Sequence, residues 1–169
     1  LGVLGCPNLP FQGGVGALYS ALRDEPAREC SLWDGAAPAR EISVDGITRA
    51  ADARLCESVE SAHSNQEQSA RVAQTLGIRA EPYRIDSQCK YAAVARSDAS
   101  IYLRMPTRVD YHEKIWDHAA GSLIVASAGG RVTDVAGRPL DVWARTARRD
   151  EKLAAFLAIC DAVAAAHRA

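Results

Sequence analysis

Between Tyr111 and Gly130 the chain reads YHEKIWDHAAGSLIVASAGG, and within Trp116-Asp117-His118-Ala119-Ala120-Gly121 one acidic side chain, Asp117, stands among small neighbours. From Ile115 onward Ile115, Ala119 and Leu123 share one helical stripe, and Trp116, Ala120 and Ile124 share the next. This spacing predicts a helix with Asp117 and His118 in its first turn, where backbone N–H groups lack partners and the dipole end is positive. An anionic group is held well at such an end, and a carboxylate there can carry a hard cation to it. An Asp in a first turn also serves as a plain cap, and spacing alone leaves both roles open. Ala119, Ala120 and Gly121 would let a backbone or a ligand approach closely.

Four further polar side chains fall where elements are expected to begin or end. His63 directly precedes Ser64-Asn65-Gln66-Glu67, a capping-box pattern. Ser87 is expected to cap the next helix, with Lys90 three residues later on the same side. Arg104 lies on the polar face of an alternating strand. Taken singly, each reads as a solvated polar residue. His112-Glu113 with His118 is H-E-x-x-x-x-H, which puts the second histidine on another helical face than a zinc-protease motif requires. No G-x-S-x-G is present, so serine-hydrolase chemistry has no support. Trp116 reads as core packing and not as a base-stacking platform.

The elements that must position these residues alternate along the chain. Leu1 to Cys6 is expected as a strand closed by Pro7-Asn8-Leu9-Pro10, and Gly13-Gly14-Val15-Gly16 as a hairpin turn into a strand over Ala17 to Ala21. Glu29 to Trp33, Arg40 to Val44, Arg54 to Val59 and Tyr83 to Asp86 read as further strands. A capped helix should run to Leu76 and stop at Gly77, and a second should run from Ser87 to Arg96. In Ser100 to Met105 the residues Ile101, Leu103 and Met105 alternate with Tyr102 and Arg104, and Pro106 ends the strand. Gly129-Gly130 should end the helix of Asp117, with a short strand over Arg131 to Val135. Val142 to Ala169 reads as one Ala-rich helix with Leu153, Phe156, Leu157, Cys160 and Val163 apolar. Strands alternating with three or four helices predict an α/β layered domain over residues 1–141, with 142–169 as an added helix packed on it or extending it.

Composition excludes several classes of function. The 169 residues carry a net charge of −1, so no basic field exists for nucleic acid or a membrane surface. Lysine is confined to Lys90, Lys114 and Lys152. An anionic ligand must therefore be met by local charge. The five cysteines, Cys6, Cys30, Cys56, Cys89 and Cys160, contain no C-x-x-C, which argues against a zinc knuckle or a disulfide framework and for a reducing cytoplasm. No apolar run approaches the roughly 18 residues a membrane span requires. The chain opens without Met on what reads as a strand already under way, as expected of a fragment or a separately made domain.

Three motifs carry a family resemblance. They are DSQCKY (86–91), YLRMP (102–106) and EKIWDHAAG (113–121), the last followed by AGG, a strand ending in TD, and GRPLD. In this order they resemble the inositol monophosphatase superfamily, and within it the 3′(2′),5′-bisphosphate nucleotidases. The resemblance covers residues 1–141 and corresponds to the C-terminal half of such an enzyme. It implies the C-terminal αβ part of an αβαβα sandwich, with Asp117 as a magnesium ligand. It also implies that His63, Ser87, Lys90, Arg104 and Asp117 together hold the nucleotide, its phosphates or the metal. The implied reaction is magnesium-dependent, lithium-sensitive hydrolysis of 3′-phosphoadenosine 5′-phosphate to AMP and phosphate, with its sulfated relative as a further substrate. A metal-activated water would attack in line, without a covalent intermediate. The family's acidic GEE-type motif and D-P-[IL]-D-G-T loop do not occur here. This chain alone is therefore expected to keep part of a phosphate and nucleotide surface with little or no turnover, any completing ligands coming from an N-terminal half or a second copy. The alternatives are a non-catalytic module that binds nucleotide or a partner, and an inositol monophosphatase. Lys90-Tyr91 and Arg104 speak against the last of these.

Overall fold

The computed structural model describes residues 1–60, 66–104, 114–134 and 137–139. Leu1–Arg131 forms one compact unit and Val132–Ala169 a second. In the second, the described residues show one bridge between Thr133 and Pro139, and Asp134 accepts hydrogen bonds from the backbone N–H and Nε of Arg138 at 2.9 and 2.7 Å. The helix expected over Val142–Ala169, together with Cys160, lies outside the described residues, as do His63, the Ser64-Asn65 cap and His112.

The first unit starts with an antiparallel meander of β1 (Gly2–Phe11), β2 (Gly14–Ala21), β3 (Arg28–Ser31) and β4 (Arg40–Glu41) in sequence order. Pro7 does not close β1 as the sequence suggested. The strand runs on through both prolines because β1 is an edge strand whose register shifts between Cys6 and Pro10, and a missing N–H is tolerated at both kinds of place. Phe11 pairs with Gly14, leaving Gln12 and Gly13 as a two-residue turn with φ of 46° and 83°, the hand that fits the twist of a hairpin. The strand expected over Arg40–Val44 pairs only through Glu41. Beyond it the N–H of Ile42 still donates to the in-register Ala27 carbonyl, but that of Val44 leaves the sheet for the Ala128 carbonyl. Alternation buries Leu4, Cys6, Leu9 and Phe11 of β1 and Ala17, Tyr19 and Ala21 of β2 on one face.

The second sheet is parallel, in the order β6 (Tyr83–Arg84), β5 (Leu55–Glu57), β7 (Ile101–Tyr102). Helix α1 (Gln66–Leu76) links β5 to β6 and ends at Gly77 with φ of +72°, as its sequence predicts. Helix α2 (Cys89–Ala95) then carries the chain across β5 to β7. It packs on β1 as well as on β5 and β7. Its small residues Ala92, Ala93 and Ala95 are buried because the helix has sheet on both sides.

Helix α3 (Ala119–Ser127) lies on β1, β2 and α2. A 3-10 turn, Ile115–Asp117, precedes it, so Asp117 does not sit in the first turn of the α-helix. The tighter turn breaks the 3.6-residue stripe, and Trp116, expected in the core, is two-thirds exposed. The end of α3 follows its sequence: Gly129 has φ of +86°, its N–H donates to the Ala126 carbonyl, and that of Gly130 donates to the Val125 carbonyl, a Schellman motif. Among the described residues, Arg131–Thr133 show no strand beyond the bridge at Thr133.

Candidate functional site

In the parallel sheet β5 lies in the middle. The chain leaves it through α1 toward β6 on one side, then returns through α2 to β7 on the other. The crevice outside the carboxyl ends of strands at such a switch point is where open α/β sheets place their ligands. Ser58 follows β5, Asp86 to Lys90 follow β6, and Leu103-Arg104 follow β7, so the chemistry-bearing residues read from sequence cluster after strand ends. His63 belongs to the segment after β5 but lies outside the described residues.

Lys90 is buried, with 5% of its surface exposed, and does not behave as a solvated lysine. Its Nζ donates to Ser58 Oγ at 3.0 Å and to the Ile85 carbonyl at 3.4 Å, and lies 5.5 Å from the centre of the Tyr102 ring. Burial pushes its ammonium below the ordinary lysine range, nearby Cys56 and Asp86 oppose that shift, and Arg104 adds to it.

Ser87 does not cap α2. Its backbone is left-handed, with φ of 60°, a conformation that favours glycine, and its hydroxyl donates to Cys89 Sγ at 3.6 Å. The α2 N-cap is Gln88, in helical geometry and with no side-chain cap bond. Gln88 Nε2 instead reaches the carbonyls of Asp117 at 2.7 Å and Trp116 at 3.4 Å, tying the head of α2 to the 3-10 turn. Its Oε1 is buried with no hydrogen-bond partner among the described residues.

Arg104 and Asp117 are brought together, with Nη2 3.8 Å from Oδ1. Asp117 Oδ2 also accepts the N–H of Lys114 at 3.1 Å, which fixes the carboxylate across its turn. Behind it, Tyr91 Oη lies 2.6 Å from His118 Nδ1, so His118 is held by α2. Sequence reasoning missed Ser58, Gln88 and Tyr91. Gln88 and Tyr91 stand inside DSQCKY, so the motif itself was their signal, whereas nothing local marked Ser58.

As a cation site the arrangement offers one carboxylate. Asp117 keeps acceptor capacity beyond the Lys114 bond, and magnesium is commonly bound by one or two carboxylates with waters and phosphate oxygens. Among the described residues no three His, Cys, Asp or Glu side chains converge to hold a metal. Asp117 therefore fits as a single ligand and not as a complete centre.

A profile of the inositol monophosphatase family matches residues 1–164. A rice (Oryza sativa) protein named 3′(2′),5′-bisphosphate nucleotidase is 49% identical over 152 residues, which take in 83% of this chain and 42% of that protein. A protein of the same name from Emericella nidulans is 44% identical over 158 residues, 83% of this chain and 45% of its own length. The chain thus spans less than half the length of these relatives. Among solved structures, Mycobacterium tuberculosis SuhB superimposes with a TM-score of 0.52 at 24% identity, over 76% of this chain and 53% of that one, a likeness of fold. With its α/β layers and the family profile along its length, the chain belongs to the inositol monophosphatase family.

Proposed function

We propose that this chain is the substrate-holding part of a magnesium-dependent phosphatase that converts 3′-phosphoadenosine 5′-phosphate to AMP and phosphate. The reading rests on Lys90 and Arg104 following the ends of β6 and β7, with Arg104 facing Asp117 of the 3-10 turn, in a chain whose relatives are named bisphosphate nucleotidases. A nucleotide bisphosphate presents two separated phosphates. Arg104 would fork onto one of them, and Lys90 would supply a point charge from below. A magnesium ion bound at Asp117 would neutralise phosphate charge and lower the pKa of a bound water. Asp117 would hold that ion's side of the substrate while Arg104 turns from the carboxylate to phosphate.

Turnover is proposed to need carboxylates beyond the described residues, since no three metal-ligating side chains converge among them. The cytoplasmic setting is proposed with it and rests on Cys6, Cys30, Cys56 and Cys89 standing as free thiols. Among the described residues no helix is long and apolar enough to cross a membrane.

The test is phosphate release from 3′-phosphoadenosine 5′-phosphate with magnesium, alongside thermal melting with the same nucleotide. The wild-type chain should be protected by nucleotide and release little phosphate, and Arg104→Lys and Asp117→Asn should lose the protection. Absence of protection in the wild-type chain would overturn the binding reading. Phosphate release abolished by Asp117→Asn would show that this chain, alone or with a second copy of itself, supplies every ligand turnover needs.

A further inference from the structure

Ser58 is the first residue after the central parallel strand, and only 2% of its surface is exposed. Alternation carries it to the face of β5 that holds Cys56. Cys56 packs in one cluster with Ala93 of α2, and Lys90 stands three residues before Ala93 on the same side of that helix. Two residues up the strand and three residues back along α2 therefore bring Ser58 against Lys90, whose Nζ donates to the hydroxyl at 3.0 Å. The backbone around Ser58 is pinned from two sides. Its carbonyl accepts from Nε2 of Gln66, the first residue of α1, at 3.2 Å, and the N–H of Val59 donates to Asp86 Oδ1 at 3.0 Å. The hydroxyl is thus a fixed point against which a flexible lysine can be aimed.

An ammonium carries three donors and turns about its last bond unless acceptors stop it. Ser58 Oγ takes one hydrogen of Lys90 and the Ile85 carbonyl, at 3.4 Å, takes a second. These acceptors follow the neighbouring strands β5 and β6, so together they fix the rotor. The third N–H has no acceptor among the described residues and is left with one direction. The Tyr102 ring, 5.5 Å from Nζ, bounds the ammonium from β7. We propose that Ser58 is a positioning residue of the phosphate site, its hydroxyl holding the Lys90 ammonium so that the remaining N–H meets a phosphate of the nucleotide. The inference rests on the reading that Lys90 meets phosphate, and Ser58 acts through Lys90, not on the nucleotide itself. The same bond favours the charged lysine against burial. Cys56 of β5, Asp86 after β6 and Cys89 of α2 act in the same sense, and Arg104 after β7 opposes them.

Lys90 can be followed directly, because the chain has only two other lysines, Lys114 and Lys152. With isotope-labelled lysine, NMR of the full chain gives a Cε signal for each, and Lys90→Met identifies that of Lys90. Its titration is read without nucleotide, and affinity for 3′-phosphoadenosine 5′-phosphate is read by calorimetry at neutral pH. Ser58→Ala should lower the Lys90 titration midpoint and weaken nucleotide binding about ten-fold, the worth of one hydrogen bond to a charged group. Ser58→Thr keeps the hydroxyl and should restore both. Nucleotide should also shift the Lys90 signal of the wild-type chain, a readout that needs no variant to fold. Equal affinity in Ser58→Ala and wild type would overturn the proposal, leaving the hydroxyl as a partner for a buried charge. Equal losses in Ser58→Ala and Ser58→Thr would overturn it in favour of packing, and so would bound nucleotide that leaves the Lys90 signal in place. A wild-type chain that binds no nucleotide would remove the phosphatase reading and this role of Ser58 with it. Binding that survives Ser58→Ala would remove this inference alone.

Discussion

The hydroxyl of Tyr91 lies 2.6 Å from Nδ1 of His118, and the ring that carries it packs over Gly121 in the first turns of α3. A Cβ built on Gly121 would fall among the Cβ, Cγ and Cδ2 atoms of Tyr91, so glycine is required there for close approach and not for its backbone angles. The same ring meets Tyr102 edge-on at 5.4 Å. Tyr91 thus clamps α2, β7 and α3 at the back of the candidate site. Gly121→Ala should destabilise the unit by about 2 kcal/mol through overpacking, and Tyr91→Phe by about 1 kcal/mol through one lost hydrogen bond. Urea unfolding of the two variants checks the order. A larger loss in Tyr91→Phe than in Gly121→Ala would mean that His118, not packing, fixes the junction.

Glu29 is completely buried and is the hub of the other half of the unit. Its Oε1 accepts from Tyr19 at 2.8 Å and Arg96 at 3.2 Å, and its Oε2 from Arg40 at 2.8 and 2.6 Å. Burial alone would raise its pKa, but the bonds from Arg40, Tyr19 and Arg96 outweigh burial and leave it lowered. A carboxylate with a lowered folded pKa contributes stability that is present above the unfolded value of about 4.3 and lost as pH falls through the folded value. Glu29→Gln should therefore cost about 3 kcal/mol at pH 7, because Arg96 stays buried without its full charge partner. The gap between variant and wild type should hold constant above pH ~5 and narrow below pH ~4. Denaturant midpoints across that range measure it, and a gap independent of pH would assign the cost to packing.

Local signals were the legible ones. The Gly77 stop and the Gly129-Gly130 terminus were readable because each depends on a backbone angle that few residues reach, whereas the turn expected over Gly13 to Gly16 falls earlier, at Gln12-Gly13. The motifs carried the family resemblance, and their described residues follow the ends of β6 and β7 or stand at the turn into α3. What was not legible depended on partners distant in sequence. Pro7 and Pro10 could stay in β1 only because that strand is an edge with a shifted register. Lys90 reads as a surface charge until Ser58, Ile85 and Tyr102 close around it.

Ser87 holds a left-handed backbone at φ of 60° beside the proposed phosphate position, a conformation that costs a non-glycine residue about 1 kcal/mol. Ser87→Gly should relieve that strain and leave the apo chain as stable as wild type, or up to about 1 kcal/mol more so. It should also remove the hydroxyl expected to meet phosphate, so nucleotide protection should fall. Thermal melting with and without nucleotide separates the two effects. A variant that loses stability would show that the Ser87–Cys89 bond matters more than the backbone angle.

Lys90 separates stability from binding most sharply. Its ammonium is buried against Ser58 and the Ile85 carbonyl, and burial lowers its pKa. A lysine whose folded pKa lies below its unfolded value penalises folding while it is charged, and the penalty is relieved as pH rises through the folded value. Apo stability should therefore rise with pH on the alkaline side, below the ordinary lysine value of about 10.4, while protection by a bisphosphate nucleotide falls over the same window as the charge is lost. Lys90→Met, similar in length and uncharged, should leave stability at neutral pH unchanged or improved by about 1 kcal/mol and abolish nucleotide protection. Both alkaline trends should vanish in that variant. Melting curves from pH 7 to pH ~10, with and without 3′-phosphoadenosine 5′-phosphate, carry the whole test. If Lys90→Met loses stability but keeps protection, the lysine is a structural strut between β5 and α2, and the phosphate is met by Arg104 without it.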